Sequence, residues 1–267
     1  MVSTRSAAFF DLDKTIIAKS STLAFSRPFY QGGLLSRRAV LRSAYAQFVF
    51  AGSGADHDQL EKMRAYLTNM VTGWDVDVVR QSVAETLHSI IDPLVFEEAV
   101  DLIEEHRAAG REVVIVSASG SEVVEPIGEM LGVDHVIATA LVVEDGRYTG
   151  DVGFYAYGRN KALAMKRLAE QRGYDLAESY AYSDSETDAP MLEAVGHPYA
   201  VNPDKALRKI AEDNGWPILT FARPVALRRR LGLDTRVGKA AALAVVASAV
   251  GAITVALVSR RKHRVAA

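Results

Sequence analysis

Short apolar runs that each end in a polar loop constrain this chain more than any other feature. Residues 7–10 run directly into Asp11, and residues 113–116 run into Ser117. The second run is β-branched and uncharged, as expected of a strand that is buried on both faces. Helical periodicity returns after each polar loop. This alternation of strands and helices predicts an α/β fold with a doubly wound parallel sheet.

The first polar loop has the pattern Asp-x-Asp-x-Thr, formed by Asp11, Asp13 and Thr15. Two carboxylates on one short loop repel each other unless a cation or a proton offsets their charge. A metal ion beside a phosphate would supply that offset, so phosphoryl transfer is the first chemistry to consider. An isolated Asp-x-Asp is also common in ordinary turns.

Three further polar sites follow strand or helix boundaries downstream. Ser117 precedes a turn with free backbone N–H groups, which suits a phosphate oxygen, although a serine there could also cap the next helix. Lys161 opens a helix, where its charge opposes the macrodipole unless an anion lies nearby. Asp184 and Asp188 lie in a second acidic loop, which is more acidic than a capping box requires.

Taken together, these motifs resemble those of the haloacid dehalogenase (HAD) superfamily of phosphatases. Their order is Asp-x-Asp-x-Thr, strand-Ser, Lys, then Asp-x-x-x-Asp. Within the superfamily the pattern is similar to subfamily IB, the branch related to phosphoserine phosphatase. The resemblance spans roughly residues 7–221 and implies a Rossmann-like core with an inserted helical cap.

The resemblance also implies catalytic roles for four residues. Asp11 matches the nucleophile that forms a phospho-aspartyl intermediate. Asp13 matches the general acid and base. Lys161 matches the lysine that offsets charge on the nucleophile and phosphoryl group, and Asp188 matches the acid that orients the site.

Phosphate and metal ligands are implied in the same way. The phosphate-binding set comprises Thr15, which steadies the first loop, together with Ser117, Ala118 and Lys161. The implied cofactor is Mg²⁺, held by the Asp11 carboxylate, the Asp13 carbonyl and Asp184, with water and phosphate completing its coordination.

One position departs from the phosphoserine phosphatases. Those enzymes carry an acidic residue nine positions after the nucleophile, where it reads the substrate amine. Ser20 occupies that position here. The resemblance therefore does not extend to phosphoserine as the substrate.

Between residues 16 and 92 the apolar spacing is helical, and no strand pattern interrupts it. We expect three helices there, the third from about residue 75 to 91 and ending before Pro93. This region is predicted to form an all-helical cap at 17–92, and residues 1–16 and 93–225 to form the catalytic core. An Asp145-Gly146 turn predicts a hairpin within 140–152.

Composition limits the remaining possibilities. The net charge of −2 gives no indication of nucleic-acid binding, and the absence of cysteine excludes disulfides and thiol nucleophiles. No apolar segment precedes the first strand, so no secretory signal is expected.

The C-terminal region predicts a membrane anchor. Residues 240–259 carry no charge over 20 positions, enough for a helix to cross a bilayer. A basic linker at 226–239 precedes this segment, and a basic tail at 260–267 follows it. We therefore expect a C-terminal hydrophobic helix that crosses the cell membrane once, with the catalytic part facing the cytoplasm. An Ala-rich helix that does not insert is the alternative.

The expected function is a Mg²⁺-dependent phosphomonoesterase acting on a small phosphorylated metabolite or a lipid phosphate. One alternative is a phosphotransferase or mutase of the same fold. Another is a membrane-tethered binding protein without turnover. The sequence does not specify the substrate or the oligomeric state.

Overall fold

A seven-stranded sheet organises the part of the chain that our computed structural model describes, residues 5–34 and 71–224. Its strands are β1 (Ala7–Phe10), β2 (Glu112–Gly120), β3 (His135–Glu144), β4 (Arg147–Phe154), β5 (Tyr180–Ser183), β6 (His197–Val201) and β7 (Ile218–Leu219). The spatial order is β4-β3-β2-β1-β5-β6-β7. Every neighbouring pair is parallel except β3 with β4. Strand β1, which carries the first motif at its carboxyl end, therefore lies at the centre.

Eight α-helices accompany the sheet within these described ranges. They are α1 (Ser21–Ala24), α2 (Ser26–Gln31), α3 (Val76–Ile91), α4 (Glu97–Ala108), α5 (Ser121–Leu131), α6 (Arg159–Arg172), α7 (Ala189–Leu192) and α8 (Lys205–Asn214). A 3₁₀ helix, Glu186–Asp188, follows β5 and carries the last acidic motif. The chain divides into a unit Met1–Val225 and a unit Ala226–Ala267, and the second lies outside the described residues.

The central strand is buried on both faces of the sheet. Successive side chains of a strand point to opposite sides. Phe9 belongs to a core cluster with Met165 of α6 and Leu207 of α8. Phe10 instead stacks on Tyr182 with ring centroids 4.4 Å apart, and it meets His106 of α4 edge-on. Helices thus cover both faces, which confirms the predicted α/β fold.

Several predicted elements are present. The hairpin of β3 and β4 turns at Asp145 and Gly146, whose φ angles of 49° and 75° are left-handed. Helix α3 occupies the third position predicted in the cap, and the Asp75 side chain caps it by accepting hydrogen bonds from two backbone N–H groups. The other two predicted cap helices fall mainly within residues 35–70, outside the described ranges.

The predicted membrane location is wrong. Within residues 5–34 and 71–224, no helix has both the length and the apolar character needed to cross a bilayer. The segment 240–259, on which the prediction of a single C-terminal pass depended, lies outside those ranges. An uncharged run of 20 residues satisfies the length requirement, but length alone does not establish a helix in a membrane. We do not retain the membrane anchor or the membrane partner.

A buried histidine links α4 to the sheet. Arg111 Nε donates to His106 Nδ1 at 2.7 Å, so the proton of the neutral ring lies on Nε2, which is 2.8 Å from the Tyr182 hydroxyl. Only 3% of His106 is exposed. Burial lowers its pKa to about 4, and the charge of Arg111 contributes.

This histidine should make folding sensitive to acid. In the unfolded chain the imidazole binds a proton below about pH 6.5, whereas in the folded protein it does so only near pH 4. The unfolded state therefore holds more protons between these values, and stability falls as the pH is lowered. We expect the free energy of unfolding of the wild type, relative to His106→Gln, to fall by about 3 kcal/mol from pH 7 to pH 4. Urea unfolding at several pH values measures this difference, and a constant difference would contradict the assignment.

Candidate active site

The loop after β1 places the first two acidic residues at the carboxyl edge of the sheet. The Asp11 backbone N–H donates to the Tyr182 carbonyl of β5 at 2.9 Å, continuing the ladder by one residue. The Leu12 carbonyl accepts the N–H groups of residues 16 and 17, and Lys14 adopts a left-handed φ of 62°. This tight turn holds the Asp11 side chain at the centre of the fold, where only 6% of the residue is exposed.

Lys161 of α6 joins two of the predicted acidic residues. Its Nζ lies 2.7 Å from Asp11 Oδ1 and 2.7 Å from Asp188 Oδ2. The residue is only 3% exposed. Burial opposes the ammonium form, but Asp11 and Asp188 together outweigh that effect and raise the pKa of Lys161. Lys161 is therefore a cation at neutral pH.

Asp184, directly after β5, lies beside the same group. It is 7% exposed, and its carboxylate forms an ion pair with the exposed Lys14, at 3.8 Å. Burial raises the pKa of Asp184 to about 7, against the attraction of Lys14, and the neighbouring Asp188 contributes to the rise. The Asp184 backbone carbonyl accepts the N–H of Asp204, which fixes this part of the loop.

The Asp13 carboxylate is held by two hydrogen bonds. The Ser21 backbone N–H donates to Oδ1 at 2.8 Å, and the Ser119 hydroxyl donates to Oδ2 at 3.1 Å. Burial raises the pKa of Asp13, and these bonds to Ser21 and Ser119 oppose the rise.

The predicted phosphate-binding residues lie on adjoining segments. Pairing of Phe10 with Ile115 in the β1–β2 ladder places Ser117 and Ala118 just beyond the β1 end, next to the N-terminus of α5. Ser117 is almost fully buried, and its Oγ accepts the Ser119 N–H at 3.2 Å. Thr15 is also fully buried, and its hydroxyl has no hydrogen-bond partner within the described residues. The structure thus gives no polar contact for the role predicted for Thr15.

Negative charge exceeds positive charge in this site. Burial raises the pKa of Asp11, and Lys161 only partly offsets the effect. The carboxylates of Asp188, Asp184 and Asp13 raise it further. Four carboxylates thus face one buried ammonium, which is the electrostatic environment that a divalent cation would relieve.

The donor set fits the Mg²⁺ ion implied by the sequence motifs. Carboxylate and carbonyl oxygens are the ligands that this ion prefers. Among the residues that the structure describes, no three His, Cys, Asp or Glu side chains form a group that could hold a metal. The predicted set has only two carboxylates, from Asp11 and Asp184, and one carbonyl, from Asp13. It therefore requires water and phosphate oxygens to complete six ligands.

Comparison with known proteins identifies the family. Residues 8–193 match the family described as haloacid dehalogenase-like hydrolase. This chain belongs to the haloacid dehalogenase-like hydrolase family. The match begins in β1 and ends just after α7, so it includes every predicted site residue of this HAD-family chain.

Related proteins cover almost the whole HAD-family chain. A Streptomyces azureus protein named "Inhibition of morphological differentiation protein" is 60% identical over 266 residues, which are 98% of this chain and 96% of the relative. A Mycobacterium tuberculosis protein named "Probable phosphatase" is 60% identical over 258 residues, 96% of this chain and 90% of the relative. Another protein of that organism, named a phosphoserine phosphatase, is 34% identical over 263 residues, 97% of this chain and 82% of the relative.

Solved structures share the fold. A Bordetella pertussis protein of unknown function has a TM-score of 0.72 and 31% identity, covering 81% of this chain and 99% of its own. A phosphoserine phosphatase in its apo form has a TM-score of 0.59 and 20% identity, covering 85% and 98% of the two chains. At that identity the second structure supports the fold alone.

The predicted family and the prediction of a hydrolase of phosphoric monoesters are confirmed by these matches. The roles of individual residues remain predictions. The geometry brings Asp11, Lys161 and Asp188 into direct contact and places Asp13 and Asp184 close enough to influence Asp11.

Sequence reasoning did not identify three serines that bind the acidic residues, two through their hydroxyl groups and Ser21 through its backbone N–H. The fully buried Ser183 donates to Asp188 Oδ2 at 2.7 Å, and Ser21 and Ser119 surround Asp13. Ser119 stands two positions after Ser117, the spacing that repeats along one face of a strand, and this was the available signal. Ser21 had no comparable signal, because its contact depends on how α1 returns to the first loop.

Proposed function

We propose that this HAD-family chain is a Mg²⁺-dependent phosphomonoesterase that acts through a phospho-aspartyl intermediate on Asp11. The observation that carries the proposal is the position of Lys161 Nζ, 2.7 Å from both Asp11 and Asp188. A buried ammonium beside an acidic nucleophile lowers the repulsion that a phosphate dianion would meet there. Two unit charges at roughly 4 Å interact by about 4 kcal/mol at an effective dielectric constant near 20.

The first half-reaction transfers the phosphoryl group to Asp11. A carboxylate oxygen attacks phosphorus while the bond to the substrate oxygen breaks, and Asp13 donates a proton to that leaving oxygen. In this proposal the Ser117 hydroxyl and the backbone N–H groups at the start of α5 bind the phosphoryl oxygens.

The second half-reaction releases phosphate. Asp13, now ionised, takes a proton from water as the water oxygen attacks phosphorus, and the bond to Asp11 breaks. Asp13 is then protonated and Asp11 is a free carboxylate again. One residue thus serves as acid and then as base, which its position beside the nucleophile allows.

Asp11, Asp184 and the Asp13 carbonyl are the residues that would hold Mg²⁺. When bound there, the ion would neutralise charge on the phosphoryl oxygens and help to orient the substrate. Asp188 has a different role in this proposal. Its Oδ2 accepts hydrogen bonds from the Lys161 ammonium and from the Ser183 hydroxyl, so it positions Lys161.

The proposed division into a core at 1–16 and 93–225 and a cap at 17–92 agrees with the contacts where the chain leaves and re-enters the core. Ile17 forms an antiparallel bridge with Val95. The Ala18 N–H donates to the Leu94 carbonyl at 2.8 Å, and the Phe96 N–H donates to the Ile16 carbonyl at 2.9 Å. These two adjacent segments would hold together the points where a cap at 17–92 begins and ends.

We propose a small phosphorylated metabolite as the substrate. The relative named a phosphoserine phosphatase supports a compound of this size. Ser20, at the N-cap of α1, has no charge with which to bind a substrate amine, so we do not propose phosphoserine. The lipid phosphate considered above depended on the membrane anchor and is dropped with it.

Metal removal tests the proposal. Hydrolysis of p-nitrophenyl phosphate by the purified protein should fall to background in EDTA and return when Mg²⁺ is added in excess. Asp184→Asn should raise the Mg²⁺ concentration for half-maximal activity by about tenfold or more. Asp175→Asn is the matched control, because Asp175 caps a 3₁₀ helix before β5, at the opposite end of that strand. Undiminished activity in EDTA would refute the metal requirement.

A further inference from the structure

Three hydroxyl side chains form a cluster around the carboxylate of Asp13. We call Ser21, Thr22 and Ser119 the hydroxyl cluster. Ser119 Oγ is 3.1 Å from Asp13 Oδ2, Ser21 Oγ donates to Ser119 Oγ at 2.8 Å, and Thr22 Oγ1 is 3.2 Å from Ser119 Oγ. Ser119 is thus the member that touches Asp13 through its side chain and also contacts the other two.

Ser21 and Ser119 are buried, Thr22 is exposed, and the three residues come from two separate segments. Ser21 is 0% exposed and Ser119 is 7% exposed. Ser119 lies near the carboxyl end of β2, whereas Ser21 and Thr22 begin α1, roughly a hundred residues earlier in the sequence. The Ser21 backbone N–H binds the other oxygen, Oδ1. Both carboxylate oxygens of Asp13 therefore accept a hydrogen bond, Oδ2 from Ser119 of the sheet and Oδ1 from Ser21 of α1.

Helix capping does not account for these hydroxyls. The N-cap residue of α1 is Ser20, and that of α5 is Gly120. The side-chain bonds of Ser119 in the structure run to Asp13 and to the other two cluster members. A hydroxyl that donates to a carboxylate and is itself held by neighbouring hydroxyls restricts the orientation of that carboxylate.

We propose that Ser119 is a positioning residue that aims the Asp13 carboxyl group at the leaving oxygen of the substrate. This inference rests on the proposed phosphatase function. A general acid must meet the leaving oxygen within hydrogen-bond distance, and small losses of alignment reduce its effect. Ser119 supplies that alignment from a buried position in β2.

The serine hydroxyl can serve both protonation states of Asp13. When Asp13 is ionised, the Ser119 O–H donates to Oδ2. When Asp13 is protonated on Oδ1, the oxygen that Ser119 does not touch, the same hydroxyl can continue to donate to Oδ2, so the acid proton stays available to the leaving oxygen. Asp13 gives its proton to the leaving oxygen and later takes a proton from the attacking water. Ser119 therefore has no net gain or loss of protons.

Dependence on the leaving group distinguishes positioning of the acid from a general structural effect. A basic leaving group needs protonation more than a weakly basic one does. We would measure kcat/KM for p-nitrophenyl phosphate and phenyl phosphate, two aryl esters of similar size, because kcat/KM includes steps only through release of the phenol. For Ser119→Ala we expect a loss of about twofold with p-nitrophenyl phosphate and about tenfold or more with phenyl phosphate.

Other variants complete the test. Asp13→Asn should lower kcat/KM more than Ser119→Ala does, and again more for phenyl phosphate than for p-nitrophenyl phosphate. Adding Ser119→Ala to Asp13→Asn should lower kcat/KM little further. Ser119→Thr retains a hydroxyl and should recover most of the phenyl phosphate activity. Ser179→Ala is the matched control, because Ser179 is a fully buried, hydrogen-bonded serine just before β5, at the end of the sheet away from the site.

The outcomes separate this inference from the proposed function. Suppose that Ser119→Ala lowers kcat/KM equally for both esters, while Asp13→Asn still lowers it much more for phenyl phosphate. That result would overturn the role of Ser119 and leave the proposed phosphatase function standing. No rescue by Ser119→Thr in a folded protein would also count against it. Absence of phosphatase activity in the wild type would overturn the proposed function and this inference together.

Discussion

Replacing Asp11 with Asn should reduce turnover of p-nitrophenyl phosphate by roughly 10⁴-fold or more, because the amide cannot act as the nucleophile. The fold should survive the change, since Lys161 keeps its 2.7 Å contact with Asp188. Removing one of four neighbouring carboxylates also relieves repulsion, so the melting temperature should stay the same or rise. Initial rates and thermal unfolding of the purified variant measure both effects.

The proposed phospho-aspartyl intermediate can be tested with the same two proteins. Rapid acid quench and intact-mass analysis should detect a phosphorylated wild-type protein during turnover and none in Asp11→Asn. Asp175→Asn again provides the control, with wild-type rates expected. If the Asp11 variant turned over substrate at more than a few per cent of the wild-type rate, Asp11 would not be the nucleophile.

Replacing Lys161 with Met should impair both catalysis and stability. We expect a loss of about 10³-fold in activity, because the positive charge beside Asp11, the proposed nucleophile, disappears. Breaking a buried ion pair by removing one partner leaves Asp11 and Asp188 without their counter-ion, at a cost of roughly 3 kcal/mol or more. Denaturant unfolding measures this cost. The Lys166→Met variant removes an exposed lysine from the same helix and should change the free energy of unfolding little.

The cost of Lys161→Met should also depend on pH. Without the ammonium, the pKa of Asp11, which burial already raises, rises further in the folded state, whereas in the unfolded chain it has an ordinary value near 4. The folded variant then holds more protons than the unfolded chain, so its stability falls as the pH rises through the folded pKa. We therefore expect a larger destabilisation at pH 8 than at pH 5. The opposite order would show that Lys161 does not neutralise this acidic group.

Much of the site could be predicted because its residues follow strands. Asp11 follows β1, Ser117 follows the apolar run of β2, and Asp184 follows β5. Parallel strands bring their carboxyl ends to one edge of the sheet. Once the strands were recognised, the sequence positions of these polar residues sufficed to predict that they meet.

Other features could not be read from local pattern. The Asp13–Ser119 bond joins residues 106 positions apart, and the Ser21 contact depends on the path of α1. An uncharged run at 240–259 satisfied the criterion of length for a membrane helix and led to a location that the findings contradict. Length and apolar composition describe what a segment could do, but they carry no information about its surroundings.

The amino-acid sequence by itself determined the α/β alternation, the family, and the order of acidic, hydroxyl and basic motifs along one sheet edge. These follow from periodicity and from residue type, which act over a few neighbouring positions. Only the tertiary structure decided which oxygens Lys161 binds, that Ser183 holds Asp188, and that Asp13 is fixed from two sides. Those contacts depend on the packing of distant segments to within a few tenths of an ångström, which local periodicity does not encode.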